Sequence, residues 1–499
     1  GGGGGDGGTP AIGASVLQLH NHATRDGIYV EPTFTMAAVA QLHGDASFDG
    51  TYAQSGASGA VYAQPLFVDN GGTNDLVIVA TEKNYVIAFD AVTGKTKWHT
   101  DPALLGASAP QSAFSCGNID PSGITGTPVI DLGTRAIFFQ TDVLAGGTTK
   151  HLIQSLSIDD GSMRAGWPID VTAIVPDFAS KQQGERGALL VLGDKVYVPF
   201  GGRAGDCTPY RGYVIGLPLT NPTASAAVVF QTKAQDASGA GAAAGIWSPA
   251  GLSSDGTSIY FATGNTQGTF PTDWMMAYSE GVFRLPPSLA FNPQDATSYF
   301  APPNWHALDT GDVDISGSGV LLAELPGAAA SHLAVVLGKD QKMYLLDRTN
   351  LGGAMVTPPF SGAVATSEII NEPVAYTTTK GTWVAFKASC PGGGAPTINA
   401  VQLTTAPAAG SAWCAKVQGG GSPIVTTTGA GDNTVVWFVS TEGSGVTPDY
   451  KLYGFDGDTG ATVVSTTAMT PMRRFNSPIA AKGRIYVASD QQLYSFVTP

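Results

Sequence analysis

The sequence is short of charged residues, and positive ones are the scarcer kind. Asp, Glu, Lys and Arg make up only 13% of the 499 residues, and 25 Lys and Arg face 39 Asp and Glu. Long surface helices need many such residues, so the composition argues against a helical protein. The formal net charge of −14 also argues against nucleic acid or an anionic membrane surface as a partner, because both are bound by clustered Lys and Arg.

Long apolar runs are missing as well. No uninterrupted apolar segment reaches the roughly 18 residues that a membrane-spanning helix needs, so we expect no transmembrane segment. The chain opens on the glycine-rich stretch Gly1–Gly8 without an initiator Met, and we expect residues 1–15 to form a flexible tether. An ordinary flexible terminus and the stretch after the lipid-carrying Cys of a bacterial lipoprotein explain this tether equally well. Either fits a processed protein outside the cytoplasm, in the periplasm, at the outer-membrane surface or secreted.

The four cysteines are dispersed and form no Cys-x-x-Cys pair, which argues against a structural zinc site. They are Cys116, Cys207, Cys390 and Cys414. Cys390 and Cys414 flank a stretch rich in Gly, Pro and Ala and could join one hairpin, which would leave Cys116 and Cys207 to pair over a longer range. We expect two disulfides in an exported protein, with free buried thiols as the alternative.

Common enzymatic motifs are also absent, since there is no Gly-x-Ser-x-Gly element and no Walker loop. Among seven histidines only His20 and His22 are close together. They lie in an N-terminal segment that we expect to be mobile, so a solvated tail is the preferred interpretation and a metal site the alternative. Arg473 and Arg474 form an isolated basic pair that we expect at the surface.

What the sequence does contain is a repeated unit of four short strands, in a chain with 65 Gly and 32 Pro. The clearest copy covers Gly59–Pro102, where Asp90 and Gly94 mark the turn between the third and fourth strands. The same spacing returns at Asp456 and Gly460. Asp can hydrogen-bond the backbone of a tight turn and Gly supplies its positive φ, so both pairs predict the same turn.

Eight first strands can be counted along the chain. They begin near Val61, Thr125, Ala188, Ser248, Gly319, Glu372, Ser422 and Ser477. The last unit has only three strands of its own, and residues 40–48 are the candidate for its fourth, which would leave no free sheet edge. A sandwich would not explain eight similar units, and a β-helix would need a shorter repeat. The sequence therefore predicts an all-β fold with one domain over 16–499, an eight-bladed β-propeller of four-stranded antiparallel blades, closed by an N-terminal strand.

The repeat resembles that of the pyrroloquinoline-quinone (PQQ) propellers, the quinoprotein alcohol dehydrogenase-like proteins. Residues 87–98 read Ile-Ala-Phe-Asp-x-x-Thr-Gly-Lys-x-x-Trp, and further similar stretches are Gly123–Asp131, Phe261–Asn265 and Gly338–Arg348. The resemblance extends from about residue 30 to the end and is to a divergent bacterial branch. It implies a quinone on the propeller axis, held between a Trp and a disulfide of two adjacent cysteines. A Ca²⁺ would bridge the quinone to a Glu and an Asn, and an Asp would act as general base.

Carried over residue by residue, the resemblance supplies several candidates. Asn265, in Ala-Thr-Gly-Asn, matches the calcium-ligand Asn, whose amide oxygen suits a hard cation. Trp247, placed 18 residues earlier, is the candidate for the stacking Trp, with an ordinary core Trp as the alternative. Asp309, Asp312 and Asp314 fall where the family keeps its catalytic Asp, and Asp309 and Asp312 are the candidates for that role. A solvated acidic loop is the preferred interpretation of that run.

Two departures count against the cofactor. Cys116 falls near the adjacent cysteine pair of the family, but Gly117 follows it, so a vicinal disulfide cannot form. Cys207 stands where the calcium-ligand Glu is expected, with Asp206 as the nearest substitute, and sulfur is a poor ligand for Ca²⁺. We therefore expect Cys116 and Cys207 to bond to each other across neighbouring blades, which leaves an axial pocket that is empty or differently used.

These features favour an extracytoplasmic binding or assembly scaffold with a degenerate cofactor site, and with a protein or glycan as candidate partner. The alternative is a periplasmic dehydrogenase that uses PQQ and Ca²⁺ to oxidise an alcohol or a sugar. In that case Trp247 and Asn265 would hold the cofactor, Asp206 would replace the missing Glu as a metal ligand, and Asp309 or Asp312 would be the base. The chain lacks a Cys-x-x-Cys-His motif, which excludes a covalent c-type haem within it.

Overall fold

The computed structural model describes residues 15–72, 74–233, 242–268, 270–391, 397–443, 445 and 447–499. Their strands form eight blades of mostly antiparallel sheet, so the predicted eight-bladed β-propeller is confirmed. The tether predicted over 1–15 lies outside the described residues, apart from Ser15. Within the described ranges no helix is both long and apolar enough to cross a membrane.

The first four blades follow one another along the chain, except that the last strand of blade 4, Gly353–Ala354, comes after three strands of blade 5. Blade 1 consists of Leu66–Val68, Leu76–Ala80, Val86–Asp90 and Thr96–Thr100; blade 2 of Val129–Asp131, Ala136–Ala145, Thr148–Ser157 and Ile169–Asp170; blade 3 of Gln183–Gly184, Leu190–Leu192, Lys195–Gly202, Tyr213–Pro218 and Val228–Gln231; and blade 4 of Ser253–Ser254, Ile259–Ala262, Val282–Leu285, Tyr299–Ala301 and Gly353–Ala354. A separate two-stranded sheet joins Ala242–Ala243 to Thr266–Gln267.

Blades 5 and 6 contain only strands from their own part of the chain, whereas blades 7 and 8 each include one strand from the N-terminal region. Blade 5 consists of Leu321–Glu324, His332–Leu337, Lys342–Asp347 and Phe360–Ala363; blade 6 of Val374–Thr378, Gly381–Lys387, Thr397–Thr404 and Ala408–Lys416; blade 7 of Ile28–Val30, Ile424–Thr427, Val435–Val439, Leu452–Asp456 and Thr462–Ser465; and blade 8 of His43–Gly44, Ile479–Ala481, Arg484–Ala488 and Leu493–Val497.

Among the described residues, helices are few and short. The α-helices are Met36–Val39, Pro102–Leu105 and Trp305–Gly311, and the 3₁₀ helices are Tyr52–Ser55, Gln111–Ala113, Val171–Ala173, Ala224–Ala226, Trp274–Met276, Ala296–Ser298 and Ile315–Ser318.

The ring closes as the sequence predicts. His43–Gly44, inside the segment 40–48, pairs antiparallel with the last strand of the chain, with His43 opposite Val497. The sequence does not predict the second N-terminal strand, Ile28–Val30, which pairs in parallel with Ile424–Thr427 of blade 7. Both pairings tie the start of the chain to its end, so no blade is left with the free edge that an open ring would have.

The repeated Trp and Gly of the sequence unit dock neighbouring blades. The Trp98 indole N–H at the outer strand of blade 1 donates to the Ile158 carbonyl of blade 2 at 3.0 Å. A Cβ added at Gly161 (φ +73°) would lie 2.6 Å from the Trp98 ring, so only glycine fits this turn. Trp413 meets Gly460 in the same way between blades 6 and 7. The turn glycine therefore serves both backbone conformation and blade packing.

The N-terminal segment, residues 16–31, fills one end of the axial channel. Its hydrogen bonds reach every blade, joining Val16 to Phe67, Leu17 to Ile130, Arg25 to Leu189, Ala23 to Ser254, Thr24 to Leu322, Asp26 to Ala375, Gly27 to Val425 and Glu31 to Gly483. We call the strands that begin at Leu66, Val129, Leu190, Ser253, Leu321, Val374, Ile424 and Ile479 the first strands of the blades. Because most of the partners of residues 16–31 lie on them, the first strands face the axis. We call residues 16–31 the plug.

The expectation of a mobile, solvated tail at His20 and His22 is wrong. His20 is fully buried in the plug, and burial lowers the pKa of its imidazole to about 4. His22 is partly exposed and pairs with Asp26 at 2.8 Å. The segment is ordered because its backbone pairs with strands that are distant in the sequence.

Candidate functional site

The opposite end of the channel holds a cavity of about 200 Å³. It is built by segments that come just before the first strands of the blades and by loops that follow their second strands, whereas the plug bonds mainly to the first strands themselves. Its lining includes Tyr62, Arg186, Trp247, Asp314, Ile370 and Arg474. Loops carried on a rigid ring and converging on an axis are a usual setting for a binding site.

Three of the residues singled out in the sequence meet in this cavity: Trp247, Asn265 and Asp206 all line it. The Asn265 side chain is nearly buried, and within the described ranges no residue hydrogen-bonds to its amide group. The Asp206 carboxylate accepts a hydrogen bond from the Tyr210 hydroxyl at 2.9 Å. Burial, opposed by that bond and reinforced by neighbouring acids, raises the pKa of Asp206.

Asp309 lies in the helix Trp305–Gly311, outside the cavity lining. Its two carboxylate oxygens accept from the Thr266 backbone N–H at 2.7 Å and the Thr266 hydroxyl at 2.6 Å. Burial raises the pKa of the Asp309 carboxyl, although both of these bonds lower it. Asp309 therefore holds the strand Thr266–Gln267 next to Asn265.

Asp312 also lies outside the lining and is largely exposed, at 56% of its side chain. It ends the helix in a left-handed conformation, with φ 52°. Its carboxylate pairs with the Lys339 ammonium at 2.7 Å. The left-handed residue redirects the chain, so that the next acid in the run enters the cavity.

That acid is Asp314, which the sequence places in the same run, although Asp309 and Asp312 are the residues that sequence reasoning selects as candidates for the base. Its side chain is 2% exposed, and its carboxylate accepts the Asn265 backbone N–H at 2.7 Å and pairs with Lys339 at 2.7 Å. The Lys339 ammonium also lies 5.3 Å from the centre of the Trp247 ring. Burial lowers the pKa of Lys339, but the charges of Asp314 and Asp312 outweigh it and raise the pKa above its usual value. The signals were present, since Asp314 ends the acidic run and Lys339 lies in the quoted stretch Gly338–Arg348.

A disulfide borders the cavity. Cys116 and Cys207 are bonded, with Cα atoms 5.9 Å apart, and Cys390 is bonded to Cys414 in blade 6, with Cα atoms 6.3 Å apart. Both predicted pairings are thereby confirmed. Cys207 directly follows the cavity residue Asp206, so the first disulfide joins the loop after blade 1 to a loop of blade 3 at the cavity rim.

Four cations line the cavity, and they are bonded very differently. Arg203 is buried, pairs with Asp142 and lies 3.3 Å from the centre of the Phe114 ring. Burial raises the pKa of Asp142, but the charges of Arg203 and His151 outweigh it and hold it below its usual range. Lys339 is bound to two carboxylates. Arg186 and Arg474 have no hydrogen-bond or ion-pair partner among the described residues. The expectation that Arg474 lies at the surface is wrong, since it faces the cavity, whereas its neighbour Arg473 pairs with Glu442 and Asp490.

The donor set does not fit calcium in the way that the resemblance implies. Ca²⁺ takes six to eight oxygens, usually with a bidentate carboxylate. Here the position expected for the Glu holds the disulfide sulfur of Cys207, Asp206 is hydrogen-bonded to Tyr210, and Asp314 is ion-paired with Lys339. Over the part of the chain that the structure describes, no three His, Cys, Asp or Glu residues are grouped so as to hold a metal ion.

Comparison with solved structures shows what the chain is similar to. A quinohemoprotein alcohol dehydrogenase from Comamonas testosteroni matches with a TM-score of 0.66 and 14% identity, covering 97% of this chain and 80% of the other. A europium-containing methanol dehydrogenase matches with a TM-score of 0.62 and 15% identity, covering 98% of each chain. The chain shares its fold with the quinoprotein dehydrogenases.

A second quinohemoprotein alcohol dehydrogenase, from Pseudomonas putida HK5, matches with a TM-score of 0.66 and 12% identity, covering 97% of this chain and 80% of the other. No family model matches the sequence, and no curated protein does. Identities this low carry the quinoprotein fold but no activity, so function has to be argued from the cavity itself.

Proposed function

We propose that this protein is an exported binding scaffold whose axial cavity binds a small ligand and has lost the calcium–quinone chemistry of the dehydrogenases that share its fold. An extracytoplasmic location is supported by the two disulfides, which persist in oxidising compartments,. The rigid ring would present its loops to a protein or glycan partner. A lipid anchor on the N-terminal tether belongs to the same proposal.

The Cys116–Cys207 disulfide carries this proposal. It stands at the cavity rim where the resemblance expects both a vicinal disulfide and a metal-ligand Glu, so one cross-link replaces two parts of the cofactor site. The acids that could compensate already have partners inside the protein: Asp206 has Tyr210, and Asp314 has Lys339. A cavity with this disulfide and with its acids already bonded within the protein favours ligand binding over metal-assisted oxidation.

A quinoprotein dehydrogenase is the second candidate, and one observation favours it. Trp247, Asn265 and Asp314 line a single cavity, as the resemblance implies for the stacking Trp, the amide ligand and the general base. On this alternative Asp314 would be the proton acceptor, because Asp309 and Asp312 lie outside the cavity lining,.

Titration with PQQ and Ca²⁺ separates the two candidates. Cofactor absorbance, thermal unfolding and dye-linked oxidation of alcohols and sugars would be followed on the purified protein. A ligand present at 100 times its Kd stabilises the folded state by about 2.7 kcal/mol, which gives a measurable shift in Tm. We expect no saturable shift and no turnover.

Stoichiometric PQQ binding that disappears in Trp247→Ala and Asn265→Ala, but survives in the matched control Asp312→Asn, would replace the scaffold proposal with the dehydrogenase. Asp312 suits the control because it is exposed and lies outside the cavity lining. Turnover that is lost in Asp314→Asn would then assign the base.

A further inference from the structure

Arg186 and Arg474 face one cavity from opposite parts of the sequence. Arg186 precedes the first strand of blade 3, and Arg474 precedes that of blade 8. As far as the described residues extend, neither guanidinium donates a hydrogen bond, and no carboxylate lies within ion-pair distance of either. Tyr62, from blade 1, lines the same cavity, and its hydroxyl likewise has no hydrogen-bond partner among the described residues.

The unpaired state of the two arginines does not follow from a lack of acids. The chain has 39 Asp and Glu for 25 Lys and Arg, and the other two cavity cations, Arg203 and Lys339, are each bound to carboxylates. Two like charges that share a small cavity repel each other and lose hydration. In agreement with this, burial and the charge of Arg474 lower the pKa of Arg186. An anion bound between them would remove both costs.

We propose that Arg186 and Arg474, with the Tyr62 hydroxyl, form a binding site for a small molecule that carries a carboxylate or phosphate group. Guanidinium matches both anions in a two-pronged arrangement of hydrogen bonds. A volume of about 200 Å³ is below the roughly 300–1,000 Å³ of pockets for drug-sized ligands, so the ligand is small. This inference rests on the proposed function, because it names the ligand class of the same axial cavity.

The test uses the full chain with inorganic phosphate and citrate as separate probes. Calorimetric titration and thermal unfolding would be run at constant ionic strength on the wild type, Arg186→Gln, Arg474→Gln and the double variant. Arg211→Gln is the matched control, since it removes one positive charge outside the cavity lining. We expect saturable binding of at least one probe, with Kd raised about tenfold or more by either cavity substitution and unchanged in the control.

Binding of phosphate alone would identify the ligand group as a phosphate, and binding of citrate alone would identify it as a carboxylate. Failure of both probes to bind the wild type, or equal affinities for the wild type and the double variant, would overturn the inference. Binding that is lost in Trp247→Ala but kept in the arginine variants would overturn the inference and leave the proposed function standing. PQQ-dependent turnover would overturn the proposed function, while the arginine variants would still decide the anion site.

Discussion

Arginine side chains are bonded very differently at the two ends of the axial channel. At the plugged end, the fully buried Arg25 donates four hydrogen bonds, to the carbonyls of Leu19, Leu189 and Leu252 and to the Gln18 side chain. At the open end, Arg474 has no partner among the described residues. The Arg25 guanidinium joins the plug to the blades, whereas the Arg474 guanidinium has its donors available to a ligand in the cavity. The comparison teaches that stability is concentrated at the plug and binding capacity at the cavity.

The largest expected difference in the free energy of unfolding is between substitutions of Arg25 and of Arg474. Arg25→Gln leaves buried carbonyl groups of the plug and of blades 3 and 4 without donors, so we expect it to lower the free energy of unfolding by about 3–5 kcal/mol. Arg474→Gln removes no hydrogen bond and relieves repulsion with Arg186, so we expect a change within about 0.5 kcal/mol. Denaturant and thermal unfolding measure both.

Arg25→Lys is the control, since it keeps the charge but not the forked geometry, and it should fall between Arg25→Gln and the wild type. Equal losses at Arg25 and Arg474 would show that the two ends do not differ in this way.

The disulfides give the next contrast. The Cys116–Cys207 bond lies at the open end and closes 91 residues, whereas Cys390–Cys414 lies within blade 6 and closes 24. Each should stabilise the fold by about 2–4 kcal/mol, and the chain-entropy relation makes the longer loop worth about 1 kcal/mol more. We therefore expect the double Ser variant of Cys116 and Cys207 to be the less stable of the two, as measured by thermal unfolding under non-reducing conditions.

The two disulfides should differ more clearly in their effect on phosphate or citrate binding than in their effect on stability. Loss of Cys116–Cys207 frees the loops that carry Asn118 and Asp206, both in the cavity lining, and should weaken phosphate or citrate binding. Loss of Cys390–Cys414 should leave binding unchanged. Weakened binding in both variants would argue that the cavity depends on global stability alone.

Much of the ring could be predicted because its determinants are local. The first strands of the blades begin two to five residues after the positions expected from the sequence, for example Leu66 against Val61 and Val374 against Glu372. Turn residues and apolar alternation are sufficient for that. The closing strand at His43–Gly44 and both disulfides were also predictable, because the last unit lacked a strand and four cysteines allow few pairings.

The plug and the cavity charges could not be predicted, because long-range contacts decide them. The segment around His20 and Arg25 is polar enough to suggest a solvated tail, yet Arg25 bonds to carbonyls 164 and 227 residues away. Among the three acids from Asp309 to Asp314, a single left-handed residue at the helix end determines which one reaches the axis. Arg474 gave no signal at all beyond its place in a basic pair.

The smallest expected difference between the two ends is in the pH dependence of stability, to which one buried glutamate at each end contributes. At the open end Glu82 accepts the Gly123 N–H at 2.6 Å, and burial raises the pKa of Glu82 to about 8. At the plugged end Glu31 accepts the Gly483 N–H at 2.7 Å, and burial raises the pKa of Glu31 to about 7. A carboxyl group with a raised folded pKa binds more protons in the folded than in the unfolded state. Stability therefore falls as pH rises from the unfolded pKa to the folded one, by at most about 1.4 kcal/mol per pH unit and per group.

The window from pH 7 to pH 8 distinguishes the two ends. There Glu31 has passed the midpoint of its titration and contributes a diminishing slope, while Glu82 still contributes most of its slope, and buried His20, with a folded pKa of about 4, acts only at lower pH. We expect Glu82→Gln to flatten the decline of Tm across this window more strongly than Glu31→Gln does. Part of the decline should persist in both variants, because burial also raises the pKa values of Glu185 and Glu280. Equal slopes in the two variants would mean that the acids at the two ends are buried alike, and the contrast between the ends would then hold for the arginines alone.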